Sequence, residues 1–373
     1  MSESTIRISS TLFALLLLAS EGVSGQEAFL MQELDANRFV VAVGGYFPRL
    51  EVLKNGDLLA AVKSGAAHVG KSGRADTVRS RDGGMTWSNP VTVFDLPGRD
   101  DAIDLLGSLS DGTVIAATVS YTWAGDTYSG EDWEADTYVL RSGDQGQTWS
   151  EPRKLETTPF DWLYPFGRPV ELGDGSVLLS GYGAYLDRAA KEKVDARGHT
   201  SFVVRSRDGG KTWGEYAEVA RRFNEICLAR LPSGKLVAAL RGDTGSTSLS
   251  FSTDDGRTWS KPDQATGRAE HPADLLVLSD GNLLMSYGVR HEPYGVQAML
   301  SRDEGLSWDR KRKILLAWDG DHGDLGYPVS VQRADGKIVT AYYIVYGEQD
   351  TRGDKGVAMK NSSTKAVIWS LPR

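Results

Sequence analysis

The stretch from Ser80 to Trp87 reads SRDGGMTW, and its pattern of Ser-x-Asp-x-Gly-x-Thr/Ser-Trp occurs five times in the chain. The five copies begin 62, 64, 46 and 49 residues apart. Each residue type serves a tight turn: the Asp side chain accepts backbone N–H bonds, Gly adopts a positive φ, and Trp packs back onto a sheet. The other copies of this Ser-Asp-Gly-Trp box are SGDQGQTW from Ser142, SRDGGKTW from Ser206, STDDGRTW from Ser252 and SRDEGLSW from Ser301.

A second repeat lies between the boxes, and it consists of a turn followed by an apolar, β-rich run. It occurs six times, as in NGDLLAAV from Asn55 and ADGKIVTAY from Ala334. A turn glycine between two strand-like runs is typical of a β-hairpin. The six turn glycines are Gly56, Gly112, Gly175, Gly234, Gly281 and Gly336.

The two interleaved repeats predict an all-β fold, a six-bladed β-propeller spanning residues 36–373. The repeat period matches that of a four-stranded blade, and no convincing helical periodicity occurs after the N-terminal segment. A sixth box is missing from the segment Gly356 to Trp369. Ring closure explains the gap if the strand Arg38 to Val43 completes the last blade.

The composition of the 373 residues excludes several functions. The chain carries 42 Lys and Arg against 50 Asp and Glu, a net charge of −8, and has no basic block. Nucleic-acid binding rests on clustered cations, so we expect no nucleic-acid partner. The single cysteine, Cys227, has no partner for an intramolecular disulfide, and we expect a buried apolar role for it.

The N-terminal residues resemble a secretory signal peptide over residues 1–25. Arg7 supplies the positive charge, Leu12 to Ala19 the apolar run, and Val23 to Gly25 the small residues before a cleavage site near Gly25/Gln26. The apolar run is too short to span a bilayer. We therefore expect a secreted or periplasmic protein without a membrane span.

Five boxes in a six-hairpin chain resemble the bacterial neuraminidase repeat, or Asp-box, proteins of the sialidase superfamily. The resemblance covers nearly all of the chain after the leader. It implies a glycan substrate ending in an acidic sugar and a site that needs no cofactor. In that family three arginines hold the substrate carboxylate, a tyrosine attacks with a glutamate as its base, and an aspartate is the acid/base.

The resemblance assigns four residues of this chain to such a site. Glu225 and Tyr327 each lie nine residues before a hairpin glycine, which predicts equivalent places on the inner strands of blades four and six. They match the family's base and nucleophile, and Arg241 and Arg290 match two of its arginines. The alternatives are a structural Glu225–Arg241 ion pair, a packed Tyr327 and a solvated Arg290.

Two positions depart from the family pattern. Tyr46 stands where the first arginine belongs, and Arg49, three residues later, is a candidate to replace it or else an arginine buried in a structural network. The loop that should carry the acid/base aspartate holds His68 instead, and histidine can perform that chemistry near neutral pH. Asp76 is a fallback for the acid/base role.

Further polar and aromatic residues precede the hairpins. We expect Arg168, Asp101 and His271 to bind substrate, and Trp133 and Trp162 to stack on sugar faces, the alternative being turn caps and loop packing. A metal site built from the His and Asp residues lacks a tight ligand spacing, and none is predicted. The remaining members of the polar set are Asp100, Asp104, Asp274, His291, His322 and Asp324.

Three functions follow from these residues. The leading one is a retaining, exo-acting sialidase-like hydrolase with Tyr327 as nucleophile, Glu225 as base and His68 as acid/base. A second is an enzyme acting on another anionic glycan, such as a uronic acid hydrolase or lyase. A third is a non-catalytic glycan-binding propeller. A hydrogen bond between Tyr327 and Glu225 distinguishes the two enzymes from the binding module, because the nucleophile needs its base within reach.

Overall fold

The computed structural model describes residues 32–33, 37–125, 128, 133–158, 160–185, 199–347 and 361–372. These residues form six antiparallel sheets arranged in a ring, and no helix occurs among them. The predicted signal peptide, residues 1–25, and the predicted domain limits, residues 36 and 373, lie outside the described residues. The short strand β1 (Gln32–Glu33) lies ahead of the predicted start of the propeller.

Each sheet is one blade, and its strands follow one another from the central channel outward. The six-bladed β-propeller prediction is therefore confirmed. Blade one contains β3 (Tyr46–Val52), β4 (Leu58–Ser64), β5 (Arg74–Ser80) and β6 (Val91–Phe94). Blade two contains β7 (Asp100–Ser108), β8 (Val114–Trp123), β9 (Trp133–Ser142) and β10 (Arg153–Lys154). Blade three contains β11 (Phe160–Pro165), β12 (Val170–Glu171), β13 (Val177–Tyr185), β14 (Thr200–Ser206) and β15 (Gly214–Arg221).

Blade six closes the ring with the N-terminal strand. Its first three strands come from the end of the chain, and β2 (Asn37–Val43) pairs antiparallel with the third of them. The closure prediction is confirmed. Blade four contains β16 (Phe223–Arg230), β17 (Leu236–Gly242), β18 (Thr247–Ser252) and β19 (Asp263–Gln264). Blade five contains β20 (Glu270–Val277), β21 (Leu283–Val289), β22 (Gly295–Ser301) and β23 (Ile314–Ala317), with β1 on its outer edge. Blade six contains β24 (Leu325–Gln332), β25 (Ile338–Val345) and β26 (Ser362–Trp369), with β2 on its outer edge.

The boxes form the turns between the third and fourth strands of blades one to five, as the first one shows. Asp82 accepts hydrogen bonds from the Ser80 and Thr86 hydroxyls and the Thr86 backbone N–H, while Gly84 donates to Ser80 Oγ. Trp87 Nε1 returns a bond to the Gly84 carbonyl. In blade six the third and fourth strands come from opposite ends of the chain, so no such turn exists there.

Each box tryptophan packs into the apolar layer between its own blade and the preceding one. The layer between blades five and six contains Trp369 instead, almost fully buried, with its Nε1 donating to Thr340 Oγ1. Six tryptophans thus seal six blade interfaces. The box tryptophans are Trp87, Trp149, Trp213, Trp259 and Trp308.

Candidate active site

A cavity of about 570 Å³ lies where the inner strands meet, and all six blades contribute to its lining. A larger cavity of about 790 Å³ lies at the outer edge beside Trp87 and Trp149, but no Asp, Glu or His lines it. Of these two cavities, only the central one is lined by carboxylic acids and histidines.

The first strands of blades one, two, four, five and six share a register irregularity near the cavity. Bulges of this kind redirect side chains and are frequent beside active sites. Four of the irregularities place side chains in the cavity lining, and Tyr327 adopts a φ of +48°, which is rare for a bulky residue. The residues at these positions that line the cavity are Phe47, Asp104, Asn224, Glu225 and Tyr327.

Tyr327 and Glu225 form the central contact of the site. The Tyr327 hydroxyl donates a 2.6 Å hydrogen bond to Glu225 Oε1. Arg241 donates to the same carboxylate oxygen at 2.9 Å and to the Tyr327 oxygen at 3.3 Å. Their predicted equivalence on the inner strands of blades four and six is confirmed, and the contact expected of an activated nucleophile is present.

The electrostatics keep the tyrosine neutral and the glutamate ionised. Burial raises the pKa of Tyr327, and the nearby Glu225 charge raises it further, to well above its usual value. Burial alone would raise the pKa of Glu225, but the Arg241 charge and the Tyr327 hydrogen bond outweigh it, so that this pKa is lowered. The pair is therefore a phenol next to a carboxylate that can accept its proton.

Arg290 reaches the cavity from the end of the second strand of blade five. Its guanidinium lies 5.5 Å from the centre of the Tyr327 ring. Its Nε and Nη2 are shielded from water yet have no hydrogen-bond acceptor among the described residues. A guanidinium with shielded, unused donors fits a planar anion such as a carboxylate.

His68 also lines the cavity, and it faces Asp324 across the boundary between blades one and six. His68 Nδ1 lies 3.7 Å from Asp324 Oδ1, and the Tyr343 hydroxyl donates to the same carboxylate at 2.7 Å. Burial would raise the pKa of Asp324, but His68, Tyr343 and Arg290 together lower it. Asp324 is therefore an anion next to the predicted acid/base histidine.

The structure places Asp104, rather than the predicted Asp101, in the cavity lining. Burial raises the pKa of Asp104 to about 7, against the opposing Arg49 charge. Asp101 is buried, and its carboxylate accepts the Leu96 backbone N–H at 2.6 Å. The irregularity between Ile103 and Leu105 turns Asp104 toward the cavity, and alternation along the strand gives no sign of it.

Two predicted substrate arginines lie outside the lining and hold the structure together. Arg49 is buried against the Phe166 ring and donates to the Asp104 carbonyl, as the alternative of a structural network anticipated. Arg168 donates to both oxygens of Asp274 at 2.8 and 2.9 Å and to the Ser330 carbonyl. Neither guanidinium contributes to the walls of the cavity.

Two other predicted positions, His271 and Asp76, are structural in their surroundings. His271 lies behind the wall against Gly245, and burial together with Arg241 and Arg290 lowers its pKa to about 2. Asp76 pairs with Arg74 at 3.1 Å and accepts the Thr92 hydroxyl. None of these carboxylates and imidazoles joins a metal-binding cluster, because the described residues contain no group of three suitable ligands.

Tyr46, at the place of the family's first arginine, is fully buried. It packs with Phe47, Tyr343 and Val345 beneath the cavity surface. Two arginines rather than three therefore line the cavity, Arg241 and Arg290.

Aromatic side chains form the wall that blades two and three contribute. Trp133 and Trp162 lie in it as predicted candidates for sugar stacking, with their ring centroids 5.3 Å apart. Tyr164 and Tyr182 stack on one another at 5.1 Å beside them. Sequence reasoning did not single out these tyrosines, and their place on strands that border the channel is the only sign of them in the sequence.

A family model described as BNR repeat-like domain matches residues 122–340, more than half of the chain. The chain belongs to this family, within the sialidase superfamily. As a member it is similar to a sialidase of Bacteroides fragilis (strain YCH46), with 22% identity over 278 residues that make up 64% of this chain and 48% of the relative.

Two further proteins extend the comparison. A sialidase of Paraclostridium sordellii is 26% identical over 240 residues, 57% of this chain and 56% of the relative, so the chain spans about half the length of both sialidases. A crystal structure of a protein of unknown function from Dyadobacter fermentans DSM 18053 superposes with a TM-score of 0.75 at 25% identity, covering 90% of this chain and 98% of that one. The described residues contain no helix that could cross a membrane.

Proposed function

We propose that this protein is a retaining, exo-acting glycoside hydrolase that removes a terminal acidic sugar, sialic acid or a related acid, from a glycan. The observation that carries the proposal is the 2.6 Å hydrogen bond from Tyr327 to Glu225 beside two arginines. A sugar with a carboxylate on its anomeric carbon repels a carboxylate nucleophile, whereas a phenol can approach it. Similarity to two sialidases supports the substrate class.

The first chemical step forms a bond between Tyr327 and the sugar. Glu225 takes the phenolic proton while Tyr327 Oη bonds to the anomeric carbon, because a phenol with a raised pKa does not ionise beforehand. The bond from that carbon to the leaving oxygen breaks with its electron pair, and His68 gives this oxygen a proton. Asp324 stabilises the charged imidazole that precedes the transfer.

The second step returns the enzyme to its starting state. Water attacks the anomeric carbon and gives a proton to His68, while the bond to Tyr327 Oη breaks. Tyr327 then recovers its proton from Glu225. Two successive displacements at one carbon retain its configuration.

Arg290 and Arg241 hold the substrate carboxylate in this proposal. Arg290 has unused buried donors, whereas Arg241 also neutralises Glu225. A charge-assisted, bidentate contact provides both affinity and orientation.

The test is release of the fluorophore from a 4-methylumbelliferyl sialoside by purified protein, with Tyr327→Phe and His68→Ala beside the wild type. We expect turnover by the wild type and a loss of about a thousandfold or more for Tyr327→Phe. Tyr342→Phe is the matched control, because its buried hydroxyl bonds Asp319 outside the cavity. A folded wild type without turnover, or a fully active Tyr327→Phe, contradicts the proposal.

A second candidate function is cleavage of another anionic glycan, such as one ending in a uronic acid, by hydrolysis or elimination. Burial of Tyr46 at the first arginine position and His68 at the acid/base position favour it. The same variants assayed on uronic-acid oligosaccharides distinguish it from sialidase activity, because the preferred substrate gives the larger kcat/KM.

Secretion or periplasmic location is part of the proposal and rests on the sequence of residues 1–25. Mass spectrometry of the mature N-terminus tests it. A chain that begins near Gln26 supports export, and an intact leader opposes it.

A further inference from the structure

The lining of the central cavity divides into a charged half and an aromatic half. The charged half comes from blades four, five and six, and contains Glu225, Arg241, Arg290, Asp324 and Tyr327. The aromatic half comes from blades two and three and contains no Lys or Arg and one carboxyl group, Asp104. Its rings are Tyr121, Tyr128, Trp133, Trp162, Tyr164, Phe166, Tyr182 and the imidazole of His199.

The aromatic half begins next to the reacting pair and leads away from it. The Phe166 ring of this half lies 5.8 Å from the Tyr327 ring, and burial together with the Glu225 charge raises the pKa of Tyr182. From Tyr182 the ring of Trp162 lies 5.7 Å away, and Trp133 follows at 5.3 Å. Both indoles are partly exposed. The three rings therefore form a continuous aromatic surface from the reaction centre outward.

The cavity is larger than one acidic sugar. A nine-carbon acid of about twenty non-hydrogen atoms occupies roughly half of its 570 Å³ at ordinary packing density. If the reacting carbon lies at Tyr327 and the carboxylate at Arg290, the remaining space is the part bounded by the aromatic half.

The chemistry of that half suits a neutral pyranose. The C–H face of a sugar ring is apolar and flat, and aromatic rings bind such faces by burying apolar area. No Lys or Arg lines this half, so an anionic neighbour would find no permanent cation there, and its one imidazole, His199, packs against Trp162 and Tyr182. A single buried carboxyl group, Asp104, offers a hydrogen-bond partner for a hydroxyl.

We propose that Trp162 and Trp133 bind the neutral sugar next to the terminal acidic sugar, so that the natural substrates are oligosaccharides. This inference rests on the proposed function for the orientation of the substrate. It assigns specificity for the leaving group to blades two and three.

Kinetics on two substrates of different length test this platform of Trp162 and Trp133. The substrates are methyl α-sialoside, whose leaving group is too small to reach Trp162, and 3′-sialyllactose. We expect Trp162→Ala to lower kcat/KM on sialyllactose about three- to tenfold relative to methyl sialoside, mainly through KM, and Trp162→Phe to retain most of it. Trp318→Ala is the matched control, since Trp318 lies outside the cavity beneath Arg38. An equal loss on both substrates overturns the inference.

A binding measurement separates failure of the inference from failure of the proposed function. Saturation-transfer NMR of 3′-sialyllactose with Tyr327→Phe needs no turnover. We expect saturation of the galactose protons, lost in Tyr327→Phe/Trp162→Ala. If the wild type hydrolyses neither substrate but this pattern holds, the platform stands and the proposed function falls. Saturation confined to the acidic sugar, or no saturation at all, overturns the platform whatever the kinetics.

Discussion

Phe47 and Tyr327 occupy the same position in neighbouring blades, and their ring centroids lie 5.0 Å apart in the cavity wall. Both have a φ of +48°, and both precede a proline. Such a backbone costs roughly 1–3 kcal/mol for a non-glycine residue. The shared bulge turns each ring toward the cavity. Phe47 is part of the cavity wall, and the hydroxyl group of Tyr327 makes that residue a candidate nucleophile.

Restoring the family's first arginine at Tyr46 should unfold the protein rather than improve binding. Tyr46 is fully buried in an aromatic cluster, so that Tyr46→Arg places an unpaired charge there. We expect a loss of unfolding free energy of about 3 kcal/mol or more, measured by urea denaturation. Val43→Arg, at an exposed position of β2, is the control and should change stability little. A stable Tyr46→Arg variant with a lower KM contradicts this account.

Substitution by methionine should weaken substrate binding at Arg290 and fold stability at Arg168. Arg290→Met removes donors without an acceptor, and we expect KM to rise about ten- to a hundredfold with little change in stability. Arg168→Met leaves Asp274 buried without its cation and should cost about 3–5 kcal/mol of unfolding free energy. KM from the fluorogenic assay and urea denaturation measure the two effects. The interpretation fails if Arg290→Met destabilises the fold as much as Arg168→Met.

Asp104 should make stability fall as pH rises. Burial raises its pKa from 3.8 to about 7 in the folded state, so the folded protein binds the proton more tightly than the unfolded chain does. This contribution is complete below about pH 4 and is lost between about pH 4 and pH 7. Asp104→Asn should therefore be more stable than the wild type at pH 8 by on the order of 2–4 kcal/mol, with little difference at pH 4.

Urea denaturation of the wild type and Asp104→Asn at pH 4 and pH 8 measures this difference in unfolding free energy. Asp161→Asn, at an exposed position, is the control and should show none. An Asp104→Asn variant that is less stable than the wild type by the same amount at both pH values would rule out the titration.

Trp369 should matter more to stability than its place near the end of the chain suggests. It is almost fully buried between blades five and six and donates to Thr340. Trp369→Ala should cost about 3–5 kcal/mol of unfolding free energy. Trp318 is 38% exposed, and Trp318→Ala should cost less than about 1 kcal/mol. Similar losses for both variants would show that the interface does not depend on Trp369.

The repeats predicted the fold because each box and hairpin has one local structure. All six turn glycines have the positive φ expected of them. The spacing of nine residues before a hairpin glycine also located Glu225 and Tyr327, and it picks out Phe47 and Phe166 in the same cavity. Because the strand register repeats from blade to blade, the nine-residue spacing that places one side chain in the cavity applies in other blades as well.

The residues that sequence reasoning misplaced depend on contacts between blades. Arg49 lies beneath the Phe166 ring of blade three, and Arg168 meets Asp274 of blade five across the channel. No pattern within one blade predicts either contact. Asp104 belongs to the predicted polar set, but alternation along its strand does not place it in the cavity, because a bulge shifts that alternation by one place.

The pairing of β2 with β26 has a consequence for biosynthesis. A ribosome makes Asn37–Val43 before the strands β3 to β23 of the other five blades, and Ser362–Trp369 after them. The strand β2 therefore has no partner until the strands of the other five blades have been made, and its backbone stays unpaired until then. Long-range pairing of this kind is slow and exposes the chain to aggregation. The pairing of β26 with β2 thus completes the ring, and with it the cavity, only after the other five blades have been made.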